Sequence, residues 1–397
     1  MLADPRVLLL WLADAPWYIW LPPMFVLGAM VGSFLNVCIY RLPLEKSLVW
    51  PGSRCGYCLQ PIRWYDNLPL ISYWLLRGRC RSCKTPFSIR YFLIELLTAA
   101  SFVGLFYLEV VGNTGNLDPT LLGPERFQMG RLAIFAFHAI LLSFLLVASF
   151  CDFDYQIIPL SLTITGTLVG LIGSMLMPWP WPYAPAQAVQ NLNLNPHPAF
   201  YVFKTGVYPW PLYWPLPAWL GRPGTVYSGL ATSVAGILAG TLALRAVRFL
   251  FGFGRGAEFM GPQDPEWEGL PRTLIGRWFS WFQRVGGKAM GLGDADLMMM
   301  AGSFLGWQLI LVAFFVGVFP GLFLGLLQLA RRGNQPFPFG PALAAGVIIT
   351  WLSWSKLGPH FQVLFFDQTL MLLLAAFAAI FMLAAGFILQ FLHRGRS

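Results

Sequence analysis

Residues 131–159 read RLAIFAFHAILLSFLLVASFCDFDYQIIP: an apolar run with no formal charge between Arg131 and Asp152, then two aspartates, then a proline. A helix rising about 1.5 Å per residue covers the roughly 30 Å hydrocarbon core of a bilayer in about 20 residues, so the run predicts a membrane span ending at Asp152. Comparable runs recur at 19–39, 91–111, 157–177, 226–250, 308–330, 339–357 and 369–392, with a shorter piece at 295–305. Composition agrees, since 57% of the 397 residues are apolar and 11% charged, too few charges for an ordinary soluble domain. The expected fold is an all-α polytopic membrane protein of eight to nine transmembrane helices.

Asp4 and Asp14 flank only a short apolar patch, and no small-residue cleavage site follows, so the N-terminus reads as retained rather than as a cleaved signal. With that end outside, segments 40–90, 245–290, 331–339 and 393–397 lie in the cytoplasm and hold 20 of the 26 lysines and arginines. The formal charge of +9 then follows from topology and anionic lipid, and calls for no nucleic acid. The outer connection 178–225 is rich in proline and tryptophan and reads as an irregular lid at the membrane interface. Inside, 252–289 contains PRTLIGRWFSWFQRVGGK, whose interleaved aromatic and basic residues suit a helix lying in the membrane surface at 271–285.

Cys55-Gly-Tyr-Cys58 and Cys80-Arg-Ser-Cys83 form two C-x-x-C knuckles in the first cytoplasmic connection. Four thiolates suit one tetrahedral zinc; two disulfides are disfavoured by a reducing cytoplasm, and a redox dithiol is the other alternative. A site closed by four sulfurs holds a small domain together and hydrolyses nothing. Cys38 and Cys151, at helix ends, read as packing residues.

Catalysis must come from elsewhere. Ionisable residues at the edge of lipid are functional candidates by default, and Asp152 and Asp294 fit best, each at a helix end on the cytoplasmic side. Two carboxylates from different helices that meet at one depth can share a proton, one activating water and the other polarising a peptide carbonyl, which is aspartyl proteolysis. Gly291 and Gly293 in GLGD remove side chains that would obstruct an extended substrate backbone. His138 stands 14 residues before Asp152, about 21 Å along the helix, and cannot share that chemistry directly. Asp154 and Asp296 read as interfacial or capping acids.

These residues resemble the bacterial type IV prepilin peptidases, membrane aspartyl proteases with a G-x-G-D signature. GSFLNVCIYRLP at 32–43, the double knuckle, NLPLISYWLLRGRCRSC at 67–83, SIRYFLIELLTA at 88–99, DFDYQIIP at 152–159, GLGD at 291–294 and PFGPALA at 338–344 occur in that family's order. The resemblance implies Asp152 and Asp294 as the catalytic pair and Cys55, Cys58, Cys80 and Cys83 as zinc ligands. It also implies cleavage of basic leaders from prepilins and pseudopilins at a glycine–phenylalanine junction on the cytoplasmic face of the inner membrane. N-methylation of the new terminus from S-adenosylmethionine would follow. Glu95, one turn into the second span, is the candidate for the methyl-transfer region or a partner for Arg90. The chain departs from the family at Gly56, where relatives usually carry proline, and in its two inserts and last helix.

The domains read as 1–40, N-terminal segment and first span; 41–90, zinc domain; 91–177, spans carrying Asp152; 178–225, outer insert; 226–251, a span; 252–289, inner insert; 290–357, G-x-G-D and its spans; and 358–397, an additional C-terminal helix. A transporter or channel with a zinc-stabilised domain is the alternative from another class, and a non-enzymatic assembly scaffold a further one.

Overall fold

The computed structural model describes residues 16–114, 124–176, 226–255, 292–332, 338–354, 356–357, 361, 369–377 and 379–380. The outer insert 178–225, the surface helix expected at 271–285, Gly291 and the chain beyond 380 lie outside the described residues. Among the described residues the fold is helical, with no β-strand: α1 (Leu21–Arg41), the short α2 (Ile71–Leu75), α3 (Arg90–Phe106), α4 (Pro124–Tyr155), α5 (Leu160–Leu176), α6 (Val226–Arg255), α7 (Leu292–Leu305), α8 (Trp307–Arg332) and α9 (Gly340–Leu352). Residues 369–377 are also helical.

Five segments are long and apolar enough to cross a membrane: Trp17–Leu44, Arg90–Val111, Gly130–Tyr155, Gly229–Val247 and Trp307–Gln328. Helices α5 and α9 are apolar but shorter. Helix α7, the short piece in the sequence, has 14 residues and so runs about 21 Å, less than the hydrocarbon thickness. Its length is tolerated because Leu297, Met298, Met300, Ala301 and Leu305 are buried inside the bundle, so other helices meet the lipid in its place. Gly306, at a positive φ of 80°, makes the turn from α7 directly into α8, a backbone state that glycine adopts without a Cβ clash.

Small residues set the helix spacing. A Cβ on Gly28 or Gly32 of α1 would stand 2.7 Å from Ala99 Cα or 2.8 Å from Glu95 Cα of α3, so the G-x-x-x-G face of α1 lies flush on its neighbour. Gly236 of α6 and Gly302 of α7 touch backbone to backbone, a Cβ on Gly236 falling 1.9 Å from the Gly302 carbonyl oxygen. In lipid, where apolar burial drives helix association weakly, such close approach supplies the dispersion contacts that hold helices together. The buried core runs through this packing, from Phe102 and Phe106 on α3 through Leu141 and Leu145 on α4 to Phe304, Ile310 and Leu343.

Candidate functional site

The two cysteine knuckles are built alike. Cys55 N–H donates to Gln60 O and Leu59 N–H to Cys55 O; 25 residues on, Cys80 N–H donates to Thr85 O and Lys84 N–H to Cys80 O. Leu59 and Lys84 both take positive φ, and short antiparallel bridges pair Arg54 with Pro61 and Arg79 with Pro86. The repeat is visible in the sequence as R-C-x-x-C-x-x-P occurring twice, at 54–61 and 79–86.

The symmetry turns all four sulfurs to one point. They lie within 4.8 Å of one another, with Cys55 Sγ to Cys83 Sγ at 3.7 Å and Cys58 Sγ to Cys80 Sγ at 4.0 Å, and all four cysteines are free of disulfides. Tetrahedral zinc with bonds of about 2.3 Å places its sulfurs about 3.8 Å apart, so the donor set fits that ion and leaves no position for water. Hydrogen bonds from the Thr85 side chain and backbone bring the Cys83 thiol down to about 6 and the backbone N–H groups of Cys58 and Tyr57 lower Cys55, while desolvation and the neighbouring thiols push Cys58 up to about 11, so without an ion the four sulfurs do not all favour the thiolate. Arg81, inside the second knuckle, binds Asp66 through Nε and Nη2 at 2.6–3.0 Å, tying the knuckle to the turn Trp64–Asp66.

At the adjoining end of the bundle, Asp152 in the last turn of α4 and Asp294 in the first turn of α7 are both buried, 7% and 8% exposed, and near enough to interact electrostatically. The Gly340 N–H, at the start of α9, donates to Asp152 Oδ2 at 2.8 Å. A Cβ on residue 340 would stand 2.8 Å from that same oxygen, so PFGPALA contributes a backbone donor that only glycine brings this close. The motif was legible in sequence, but the contact, across 188 residues, was not. Gly293 packs its bare side on Ile158, where a Cβ would meet Ile158 Cβ at 2.9 Å; its smallness lets the start of α7 seat against the DFDYQIIP turn.

The neighbouring acids are paired elsewhere. Asp154 forms a two-pronged ion pair with Arg90, one prong Nη1–Oδ1 at 2.6 Å, and this joins the exit of the cysteine domain to the end of α4. Asp296 faces Arg245 of α6 at 3.7 Å. Glu95 is therefore not the partner of Arg90: its Oε2 accepts the Leu70 N–H at 2.7 Å and its carboxylate also bonds Ser33. His138 is far from Asp152, as its spacing requires, and its Nδ1 contacts Glu109 Oε1 at 2.5 Å.

With this geometry in hand, comparison with known proteins is decisive. Residues 26–108 match the bacterial peptidase A24 N-terminal domain. The prepilin leader peptidase/N-methyltransferase of Klebsiella pneumoniae is 30% identical over 274 residues, covering 65% of this chain and 90% of the relative. The chain belongs to the prepilin leader peptidase/N-methyltransferase family. The Aeromonas hydrophila enzyme of the same name is 27% identical over 378 residues, 87% of this chain and 95% of that one. The Myxococcus xanthus (strain DK1622) enzyme reaches 43% over 148 residues, 37% of this chain and 38% of the relative. No solved structure matches. Membership in this enzyme family agrees with the membrane fold and the four-cysteine cluster described above.

Proposed function

We propose that the protein is an intramembrane aspartyl endopeptidase that removes basic leaders from prepilins and pseudopilins at a glycine–phenylalanine junction on the cytoplasmic face of the inner membrane, and then methylates the new N-terminal amine. The observation that carries the proteolytic half is the sorting of four aspartates. Asp154 and Asp296 are each held by an arginine, whereas Asp152 and Asp294, among the described residues, are both buried with no cation paired to either, and the charge of Asp152 bears on Asp294. Neighbouring buried carboxylates share one proton. The unprotonated member takes a proton from water as the water oxygen attacks the peptide carbonyl carbon. Its protonated partner hydrogen-bonds the carbonyl oxygen as charge develops there, and a proton is then delivered to the departing amine as the C–N bond breaks. Gly340 N–H holds the Asp152 carboxylate in one orientation throughout.

Cys55, Cys58, Cys80 and Cys83 would hold a zinc ion, which supplies cross-linking of the domain and takes no part in hydrolysis. The methyl-transfer half rests on family membership. S-adenosylmethionine is the expected donor, and no residue described here is assigned to it.

The test is incubation of the purified protein with a leader-bearing prepilin peptide and the methyl donor, followed by mass spectrometry. Asp152→Asn and Asp294→Asn should each abolish the cut at Gly-Phe, while both variants insert into membranes and methylate a pre-cleaved peptide. Asp154→Asn and Asp296→Asn should retain cleavage. Near wild-type cleavage by either single variant of the pair would overturn the assignment, and no cleavage even by the wild type would favour the transporter reading.

A further inference from the structure

Large apolar side chains are unusually exposed on the four-cysteine domain, and two groups of them are fixed by hydrogen bonds to the ends of membrane helices. The first is the loop after α1. Arg41, the last residue of that helix, donates from Nη1 to Ser47 O at 2.8 Å and from Nη2 to Pro51 O at 2.7 Å, while Ser47 Oγ accepts the Val49 and Trp50 N–H groups. This holds the loop against the helix end and leaves Val49 86% and Trp50 75% exposed.

The second is α2. Its N-terminal flank is bonded to Glu95 through Leu70 N–H, and Trp74 packs edge-on against Phe92 at 5.6 Å. Glu95 lies five residues beyond Arg90 along α3, about 7.5 Å further towards the membrane interior. Helix α2 is therefore held alongside the first turns of a membrane helix, with Trp74 66% and Leu75 71% exposed. Backbone that enters a leaflet must have its polar groups satisfied. Here Leu70 N–H has Glu95, Ile71 N–H has Pro69 O and Ser72 N–H has Leu68 O.

Charge identifies what covers these side chains. Residues 41–90 carry nine lysines and arginines against two acids, and one of those acids, Asp66, is neutralised by Arg81. An apolar prong with tryptophan at its boundary, in a segment with excess positive charge and tethered to membrane helices on both sides, matches the interface of an anionic leaflet.

We propose that the four-cysteine domain is embedded in the adjoining bilayer leaflet by two prongs, Val49–Trp50 and Ile71–Leu75, with its basic residues on anionic headgroups. Glu95 is then the group that makes the second prong possible, because it satisfies the backbone of a helix that dips below the surface. The inference depends on the membrane-spanning reading and not on the proteolytic one, so a loss of peptidase activity has no bearing on it.

The test uses the full chain, reconstituted into mixed phosphatidylcholine and phosphatidylglycerol vesicles, with a photoreactive benzophenone amino acid in place of Trp50 or Trp74. Mass spectrometry after illumination should find lipid adducts at both positions. Phosphatidylglycerol should be enriched among them above its share of the mixture at low salt, and that enrichment should fade at high ionic strength. Adducts only to protein, or to an added prepilin peptide, would show that another partner occupies the face and would overturn the proposal. Lipid adducts in simple proportion to the mixture would overturn its headgroup component. In Glu95→Ala, the position 74 adduct should fall several-fold while the position 50 adduct persists; equal yields at both would remove Glu95 from the argument.

Discussion

At the scale of single residues, what distinguishes the four aspartates at the two helix mouths is company rather than position. Asp154 and Asp296 each lie two residues from a member of the buried pair, yet each meets an arginine from another helix. Asp152 meets a backbone amide instead, and that contact yields a sharp prediction. Because a Cβ on residue 340 would stand 2.8 Å from Asp152 Oδ2 and 3.2 Å from its Cγ, Gly340→Ala must displace the carboxylate or the start of α9. A displacement of about 1 Å costs on the order of a hundredfold in rate where geometry governs the reaction. The expected outcome is a fall of at least tenfold in kcat for leader cleavage with KM little changed, in a variant that still inserts and methylates pre-cleaved peptide. Unaltered kcat would mean that Asp152 tolerates a range of positions.

At the scale of elements, the cysteine domain is two copies of one knuckle, and the first has no apolar core of its own, since Tyr57, Leu59 and Trp64 are all exposed, while the second rests only on the small aromatic contact of Phe87 with Tyr73. Small domains of this kind derive their folding free energy from the metal. Metal analysis should therefore find one zinc per chain. Cys55→Ser combined with Cys80→Ser takes one ligand from each knuckle and should lower zinc content and protease resistance of residues 41–90 together. Retention of full protease resistance after chelation would contradict a structural role for the ion. The lipid-embedded helices should stay inserted in the same variant, because their packing runs through the Gly28, Gly32 and Ala99 contact and not through the sulfurs.

At the scale of the whole molecule, α9 is braced at both of its ends, against the end of α4 and against its middle. Near the cysteine domain the brace is Gly340 N–H on Asp152. At the other end of α9 it is Glu109, whose Oε1 contacts His138 in the middle of α4 and accepts the Trp351 indole N–H of α9 at 2.9 Å. Glu109 sits in a π-helical turn at Tyr107–Val111, continuing α3, and both it and His138 are buried. Replacing it by leucine strands two buried polar groups, at about 1–3 kcal/mol for each. Glu109→Leu should accordingly lower the unfolding midpoint in detergent well beyond Glu109→Gln, which keeps an acceptor for Trp351. Equal midpoints for the two variants would show that the bridge contributes no stability.

Sequence alone determined the class of the fold, because twenty-residue apolar runs have one stable form in lipid, and it marked the four cysteines, because ligand spacing is local chemistry within two short knuckles. It also singled out Asp152 and Asp294, since a carboxylate at the mouth of a membrane helix is too costly to be incidental. Which acids stand together and which are neutralised was decided only in three dimensions. Arg90 is 64 residues from Asp154 and Gly340 is 188 from Asp152, separations at which sequence spacing carries no information about contact. The same holds for Glu95, whose partner is a backbone N–H exposed by an unusual positive φ at Leu70. Such a donor leaves no mark in the amino-acid code, because every residue except proline carries the same amide, and only the fold determines which amide is left for a side chain to satisfy.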